Sequence, residues 1–288
     1  MNPDSPTLVS VHGGHSAQFC GHAENSLEEV IEAYIDQGFI WVGITEHMAP
    51  CGDSFLYDDE RQAGLNADDL QSRFREYFDT CRALQSKYRD QIEIFVAFET
   101  ETYSGSEGFV RELIDECAPQ YIVGSVHHVG DISIDTSEED YRRATDALGG
   151  LDNLYLHYFE EQHEMLRSLQ PAVVGHFDLV RMFDPDYKAR LRKPAIWELV
   201  IRNLDAIMEQ DLILDLNLRG FDKVAAEQYP SRDIIRAALE RDIAIVPGDD
   251  SHGIDMVGRH FQKGVDLLRE LGANLDWKKP KLLETRNS

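Results

Sequence analysis

The sequence predicts an α/β fold, a distorted TIM-like (β/α)7 barrel of parallel strands with helices on the outside. Two observations carry this expectation. Short apolar, β-branched runs alternate with longer stretches whose apolar residues recur at spacings of three and four, as buried parallel strands and amphipathic helices do. Seven such runs occur, and each one is followed at once by residues of metal-ligand or hydrogen-bonding type. Alternation of this kind implies a mainly parallel sheet, and in a parallel barrel the carboxyl ends of the strands converge on one face.

The candidate strands are Leu8–Val11, Trp41–Thr45, Ile92–Phe98, Tyr121–Val126, Ala172–Gly175, Leu212–Leu216 and Ile243–Val246. Between them, Ser26–Gln37 opens with Ser26 and Glu29 at capping-box spacing and presents Leu27, Val30, Ile31 and Tyr34 on one face. Asp68–Tyr88, Asn153–Leu169, Pro194–Glu209 and Ser231–Arg241 have the same helical periodicity, and Glu107–Glu116 is a shorter example. Pro194 suits a first helical turn, where its missing N–H has no partner to lose. No repeat, low-complexity tract or linker-like run divides the 288 residues, so one domain over 1–288 is expected. Barrels of about 200–250 residues or more are commonly single units.

Composition excludes several partners. The chain carries 28 Lys+Arg against 53 Asp+Glu, a formal charge of −25. No basic block is present to displace counterions from nucleic-acid phosphates, and an anionic membrane surface would repel such a protein. The acidic field also opposes anionic substrates unless bound cations reverse its sign locally. No uncharged apolar run approaches the ~18–20 residues of a membrane helix. Met1–Val11 lacks a basic region followed by an apolar stretch, and Cys20, Cys51, Cys81 and Cys117 form no C-x-x-C pair. A cytoplasmic protein with free thiols is expected.

The polar residues at the strand ends define a candidate site. His12 and His15 follow the first strand, Glu46 and His47 the second, and Glu99 and Glu101 the third. His127 and His128 follow the fourth, His176 and Asp178 the fifth, Asn217 and Arg219 the sixth, and Asp249, Asp250 and His252 the seventh. One histidine after a strand is ordinarily a hydrogen-bonded loop residue, but a generic barrel does not need ligand types at every strand end. Imidazole with carboxylate suits Zn, Fe or Mn, and a set this rich implies more than one ion. His127 and His128 point to opposite sides of an extended chain, so only one of them faces the site. Cys20, near His22, reads as a small buried apolar residue. Arg181 follows Gly175-His176-Phe177-Asp178 and is the first candidate to neutralise phosphate oxygens through its fork of donors, with Arg219 the second. The stretch from 50 to 69, placed after Glu46-His47, is a candidate cover for the site. No G-x-S-x-G elbow, Walker A sequence or G-x-G-x-x-G turn is present.

These residues are familiar as a set. The series His15-Ser16, Cys20-Gly21-His22-Ala23-Glu24, Ile44-Thr45-Glu46-His47, Phe98-Glu99, Gly124-Ser125-Val126-His127, Gly175-His176-Phe177-Asp178 and Asp250-Ser251-His252 resembles the polymerase and histidinol phosphatase (PHP) superfamily. Within it, the resemblance is greatest to the monofunctional histidinol-phosphatases, over about residues 10 to 265. It implies a trinuclear metal centre on the carboxyl face of the barrel. One ion would be held by the first-strand histidines, His12 and His15, with Glu99 and Asp250. A second would share Glu99 and take His127 and His176, and a third would take His22, His47 and His252. Glu99 and Asp250 are then the catalytic carboxylates, and a hydroxide bridging two of two or three divalent ions would hydrolyse L-histidinol phosphate. A related small phosphate monoester or diester is the alternative substrate.

Two departures from the family pattern stand out. The usual opening is His-x-His, whereas this chain has His12-Gly13-Gly14-His15, which puts Gly13 at the first ligand position. Either His12 substitutes through a small rearrangement at the two glycines, which is the favoured reading, or the first ion has one ligand fewer. After the sixth strand the family typically has Asn-Thr-Ser-(Gly or Ala)-Leu-Arg, but Asn217 is followed here by Leu218-Arg219-Gly220-Phe221-Asp222-Lys223. Asp222 stands where the family arginine would hold phosphate. Either Arg219 or Lys223 replaces it, or the substrate differs.

Overall fold

The computed structural model describes residues 6–223 and 225–284, so the leader reading of Met1–Val11 lies partly outside the described residues. In chain order the first elements are strand β1 (Val9–Ser10), helix α1 (Leu27–Gln37) and β2 (Trp41–Ile44). After the short α2 (Asp58–Gln62) and the long α3 (Ala67–Tyr88) come β3 (Glu93–Glu99), α4 (Ser106–Cys117) and β4 (Tyr121–Gly124). A hairpin of β5 (His128–Val129) and β6 (Ile132–Ser133) interrupts the alternation, followed by α5 (Glu138–Ala147), α6 (Leu151–Leu169) and β7 (Val173–Val174). The chain ends with α7 (Tyr187–Leu191), α8 (Pro194–Glu209), β8 (Ile213–Asn217), α9 (Arg232–Leu239), β9 (Ala244–Gly248) and α10 (Phe261–Glu270).

The seven barrel strands pair in the order β1-β2-β3-β4-β7-β8-β9, parallel at every step. The two sheet edges meet: Val11 N donates to Pro247 O at 2.9 Å and Asp250 N to His12 O at 2.9 Å. This joins the first and last strands, giving the distorted (β/α)7 barrel. Inside it, Val9, Val11, Trp41, Phe95, Ala97, Tyr121, Val123, Val173, Ile213 and Val246 form a separate apolar cluster. The interior is therefore a packed plug, and polar chemistry is confined to the strand ends above it.

Helix boundaries follow local chemistry. Ser26 N donates to Glu29 Oε2 at 2.7 Å while Glu29 N donates to Ser26 Oγ at 3.3 Å, so the capping box starts α1. Gly38 stops it in the left-handed region at φ 85°. The helix buries Leu27, Val30, Ile31 and Tyr34, the face expected from their spacing. On α3, Phe74 and Phe78 pack against Phe98 of β3, and Tyr77 packs against Phe74. Truncating one such buried aromatic to Ala costs about 3–5 kcal/mol. The predicted strands lie within a few residues of the observed ones. The hairpin, α5 and α10 were not legible, because α5 buries little beyond Tyr141 and Ala144, and α10 carries Gly264 in its middle.

Candidate metal centre

Glu99, the last residue of β3, lies at the middle of the centre and is fully buried. Its Oε2 is 3.4 Å from His12 Nε2 and 3.1 Å from His47 Nδ1. Its Oε1 is 2.8 Å from His176 Nε2 and 3.4 Å from His127 Nε2, and accepts from Ser125 Oγ at 2.6 Å. Four histidines from four different strand ends therefore meet one carboxylate. The Nε2 atoms of His127 and His176 face each other at 3.2 Å.

On the opposite side, His15 Nε2 is 3.1 Å from Asp250 Oδ1, and Asn217 Nδ2 donates to Asp250 Oδ2 at 3.1 Å. The His15 ring stacks between His47 and His252, with centroids 4.3 and 4.2 Å away. His22 lies further out, with ring centroids 5.4 Å from His47 and 5.0 Å from His252. His176 and Asp250 have φ of 20° and 46°. Non-glycine residues in that region carry strain that surrounding structure must impose, as happens at functional sites.

The donor chemistry fits cations. Buried atoms without a hydrogen-bond partner gather here: His12 Nε2, both ring nitrogens of His15, His47 Nδ1, Glu99 Oε2, His127 Nδ1, His176 Nδ1 and Asp250 Oδ1. An orphan of this kind costs about 1–3 kcal/mol, so such a concentration calls for an ion. Among the described residues, three ligand groups are close enough to hold one: His12, His15 and Asp250; His47, Glu99 and His127; and His15, Cys20, His47 and His252.

The electrostatics agree. Burial alone would push the Glu99 and Asp250 carboxyls up, but the neighbouring His12 charge, with His127 beside Glu99 and Arg219 beside Asp250, holds both well below the usual carboxylate range. Burial opposes protonation of His127, yet Glu99 draws it up to about 10. The same contest, against Glu99 and Asp250, leaves His12 raised well above its ordinary value. Two ionised carboxylates thus demand positive charge from their surroundings. His15 moves the other way, lowered to about 3 by burial and by His47. It stays neutral, the form in which imidazole binds metal.

Several details bear on the sequence expectations. A side chain at Gly13 would place Cβ 2.3 Å from Gly43 O, so no ligand fits there, and the His12 ring instead reaches Glu99. His127 faces the centre while His128 packs beside Tyr103 and Phe55, with Nδ1 3.4 Å from Glu101 Oε2. Glu46 accepts from Ser16 N and Oγ at 2.8 and 2.6 Å, and burial pushes its carboxyl up to about 7. The centre opens into a cavity of about 400 Å³, lined among others by Tyr57, Asp58, Asp59, Asp135, Arg219, Lys223 and Tyr229. Tyr57, Asp58 and Asp59 of the 50–69 stretch thus border the cavity.

Arg181 requires a correction. It does not line the cavity but is fully buried, with Nε donating to Asp178 Oδ2 at 3.1 Å and Nη2 donating to the carbonyls of Glu227 and Gln228 at 2.9 and 2.5 Å. Its guanidinium carbon lies 4.2 Å from the Tyr229 ring centroid and 4.8 Å from that of Tyr187. Nε and Nη2 are thus paired within the protein, and Nη1 is buried without a hydrogen-bond partner, so the guanidinium is turned away from the cavity. Arg219 lines the cavity together with Lys223, with Arg219 Nη1 2.8 Å from His252 Nε2 and 3.6 Å from Asp250 Oδ1. Sequence reasoning also passed over Asp215 and the place of Cys20 among the ligand groups. The signal for Asp215 was a lone carboxylate inside the apolar run Ile213-Leu214-Asp215-Leu216.

A parallel barrel with a buried imidazole–carboxylate centre at its carboxyl end defines the class: a barrel protein with side-chain clusters able to hold metal ions. The PHP domain family model matches residues 13–219, and the chain belongs to that family. It is 35% identical over 269 residues to a protein of Schizosaccharomyces pombe named probable histidinol-phosphatase, spanning 92% of this chain and 87% of that one. It is 26% identical to the histidinol-phosphatase of Saccharomyces cerevisiae, over 88% and 85% of the two chains. The fold matches that of a histidinol phosphate phosphatase from Lactococcus lactis, solved with zinc, L-histidinol and phosphate, at a TM-score of 0.71 and 21% identity over 92% of this chain and 94% of that one.

Proposed function

We propose that this chain hydrolyses L-histidinol phosphate to L-histidinol and inorganic phosphate in the cytoplasm, as a metal-dependent phosphomonoesterase of histidine biosynthesis. The observation that carries this reading is Glu99 bridging four histidines at the floor of a cavity whose wall holds Arg219 and Lys223. The near full-length similarity to proteins named histidinol-phosphatase supports the substrate.

His12, His15, Glu99 and Asp250 would hold one ion, and Glu99, His127 and His176 another; His22, His47 and His252 would surround a third. Zn, Fe and Mn all suit such donors. Bound ions would supply water with a pKa lowered towards ~7 and positive charge beside the phosphoryl oxygens. Arg219 and Lys223 neutralise the non-reacting oxygens by charge-assisted hydrogen bonds. Asp58, Asp59 and Asp135 present carboxylates to the same cavity, matching the cationic amino-alcohol end of histidinol. The P–O bond to the alcohol breaks as water adds to phosphorus, and the alcohol oxygen leaves with a proton. Ligation removes the desolvated-charge problem that Glu99 and Asp250 pose when buried.

The test is a metal assay paired with turnover. Purified protein is analysed for bound elements and assayed with L-histidinol phosphate, other amino-alcohol and sugar phosphates, and an aryl phosphodiester. Fastest turnover of histidinol phosphate with at least two ions per chain is expected. Inertness towards that substrate alone overturns the substrate reading, and fewer than two ions overturns two-metal hydrolysis. Glu99→Ala should lose metal and turnover together while remaining folded.

A further inference from the structure

We propose that Cys20 Sγ is a thiolate ligand of the outer ion in this centre. The inference rests on the metal-centre reading above and adds to it a sulfur donor. Cys20 sits in the turn between β1 and α1, fixed by its N–H donating to Ser16 O at 2.8 Å. Its Sγ and one ligand atom each of His15, His47 and His252 all lie within 4.8 Å of one another. Among the described residues, Cys20 and His252 occur in no other ligand group, so they are particular to this position. His22 is not part of that group; its Nε2 lies 3.4 Å from the sulfur.

A buried cysteine alone is ordinarily a small apolar residue. Here a second observation points to a cation: His15, grouped with the sulfur, is wholly buried, and neither ring nitrogen has a hydrogen-bond partner, Nε2 lying 3.1 Å from Asp250 Oδ1. Cys20 also borders a small cavity together with His22 and His47. A thiolate added to imidazoles suits zinc, and sulfur disfavours oxygen-seeking ions such as Mn or Mg. The thiol proton is released to solvent as the S–metal bond forms, so the step balances as thiol plus divalent ion giving thiolate complex plus one proton. The outer position is therefore chemically distinct from the carboxylate-rich inner ones and selects a softer ion.

The experiment uses the full chain stripped of metal and reloaded with Co²⁺. Wild type and the control Cys51→Ser should show a near-ultraviolet sulfur-to-cobalt charge-transfer band, which Cys20→Ser and Cys20→Ala lack. Losing the ligand should weaken binding of the last cobalt ion at least about 10-fold, the lower end of what even a supporting residue costs. X-ray absorption on the zinc-loaded wild type provides a check that needs no variant: one sulfur at about 2.3 Å is expected. A band that persists in Cys20→Ser, or a zinc shell of nitrogen and oxygen only, overturns the proposal. If that nitrogen–oxygen shell accompanies full metal content and turnover, the hydrolase reading stands without the thiolate; absence of bound metal altogether defeats both.

Discussion

His12 Nδ1 lies 3.0 Å from Asp215 Oδ2, and both side chains are wholly buried. The opposite nitrogen, Nε2, points at Glu99. A carboxylate on one side of an imidazole fixes its tautomer and aims the other nitrogen at a metal. Asp215 also approaches the N–H of His176 at 3.4 Å and accepts from Asn217 Nδ2 at 3.2 Å, so one side chain organises three residues of the site. This pairing aims His12 Nε2 at Glu99 although the chain lacks the usual His-x-His spacing.

Asp215→Ala should therefore weaken metal binding by about 10–100-fold, the range for removal of a supporting carboxylate. Competition with a chelator measures it, and Asp215→Asn should fall between. Unchanged affinity in the alanine variant would sink the assignment.

Gly248→Ala tests the same pair from behind. A Cβ there would lie 2.2 Å from Asp215 Oδ1 and 2.8 Å from His12 Cβ. Overpacking should cost about 1–3 kcal/mol in denaturant unfolding, accompanied by reduced metal content. Wild-type stability together with wild-type metal content would show that the pair is not tightly held.

The two arginines should separate cleanly. Arg181→Met leaves Asp178 buried without its partner, which should cost about 3–5 kcal/mol in stability. Arg219→Ala should leave the fold intact and lower kcat/KM by roughly 10–100-fold, the loss of a charged hydrogen bond worth about 1.5–3 kcal/mol. Thermal melts and steady-state kinetics on both variants decide the matter, and the reverse pattern would restore Arg181 to the cavity.

Glu161 gives the protein a pH dependence remote from the centre. Burial pushes its carboxyl from 4.5 up to about 7, although it accepts from Gly130 N at 3.0 Å. Between those values the folded state binds more protons than the unfolded chain, so Glu161 lowers stability progressively as pH rises through that window. Glu161→Gln should match wild type near pH 4 and exceed it near pH 8 in denaturant titrations. An equal difference at both pH values would show that the group does not titrate this way.

The legibility of this chain has a physical pattern. Strand runs such as Ile213–Asn217 and the capping box at Ser26 are local signals, so they were readable directly. His12, His15, His47, Glu99, His127, His176, Asp250 and His252 were legible as a set because a parallel barrel must carry its strand ends to one face. The sequence by itself determined the barrel and which residue types crowd its mouth. Only the tertiary structure decided how they pair. It turned Arg181 inward onto Asp178 and the rings of Tyr187 and Tyr229, placed Asp215 behind His12, and brought Cys20 beside His252. Those choices join residues up to 232 positions apart, Cys20 and His252 among them (252 − 20). Packing and desolvation across such separations, rather than local propensity, set which buried charge meets which partner.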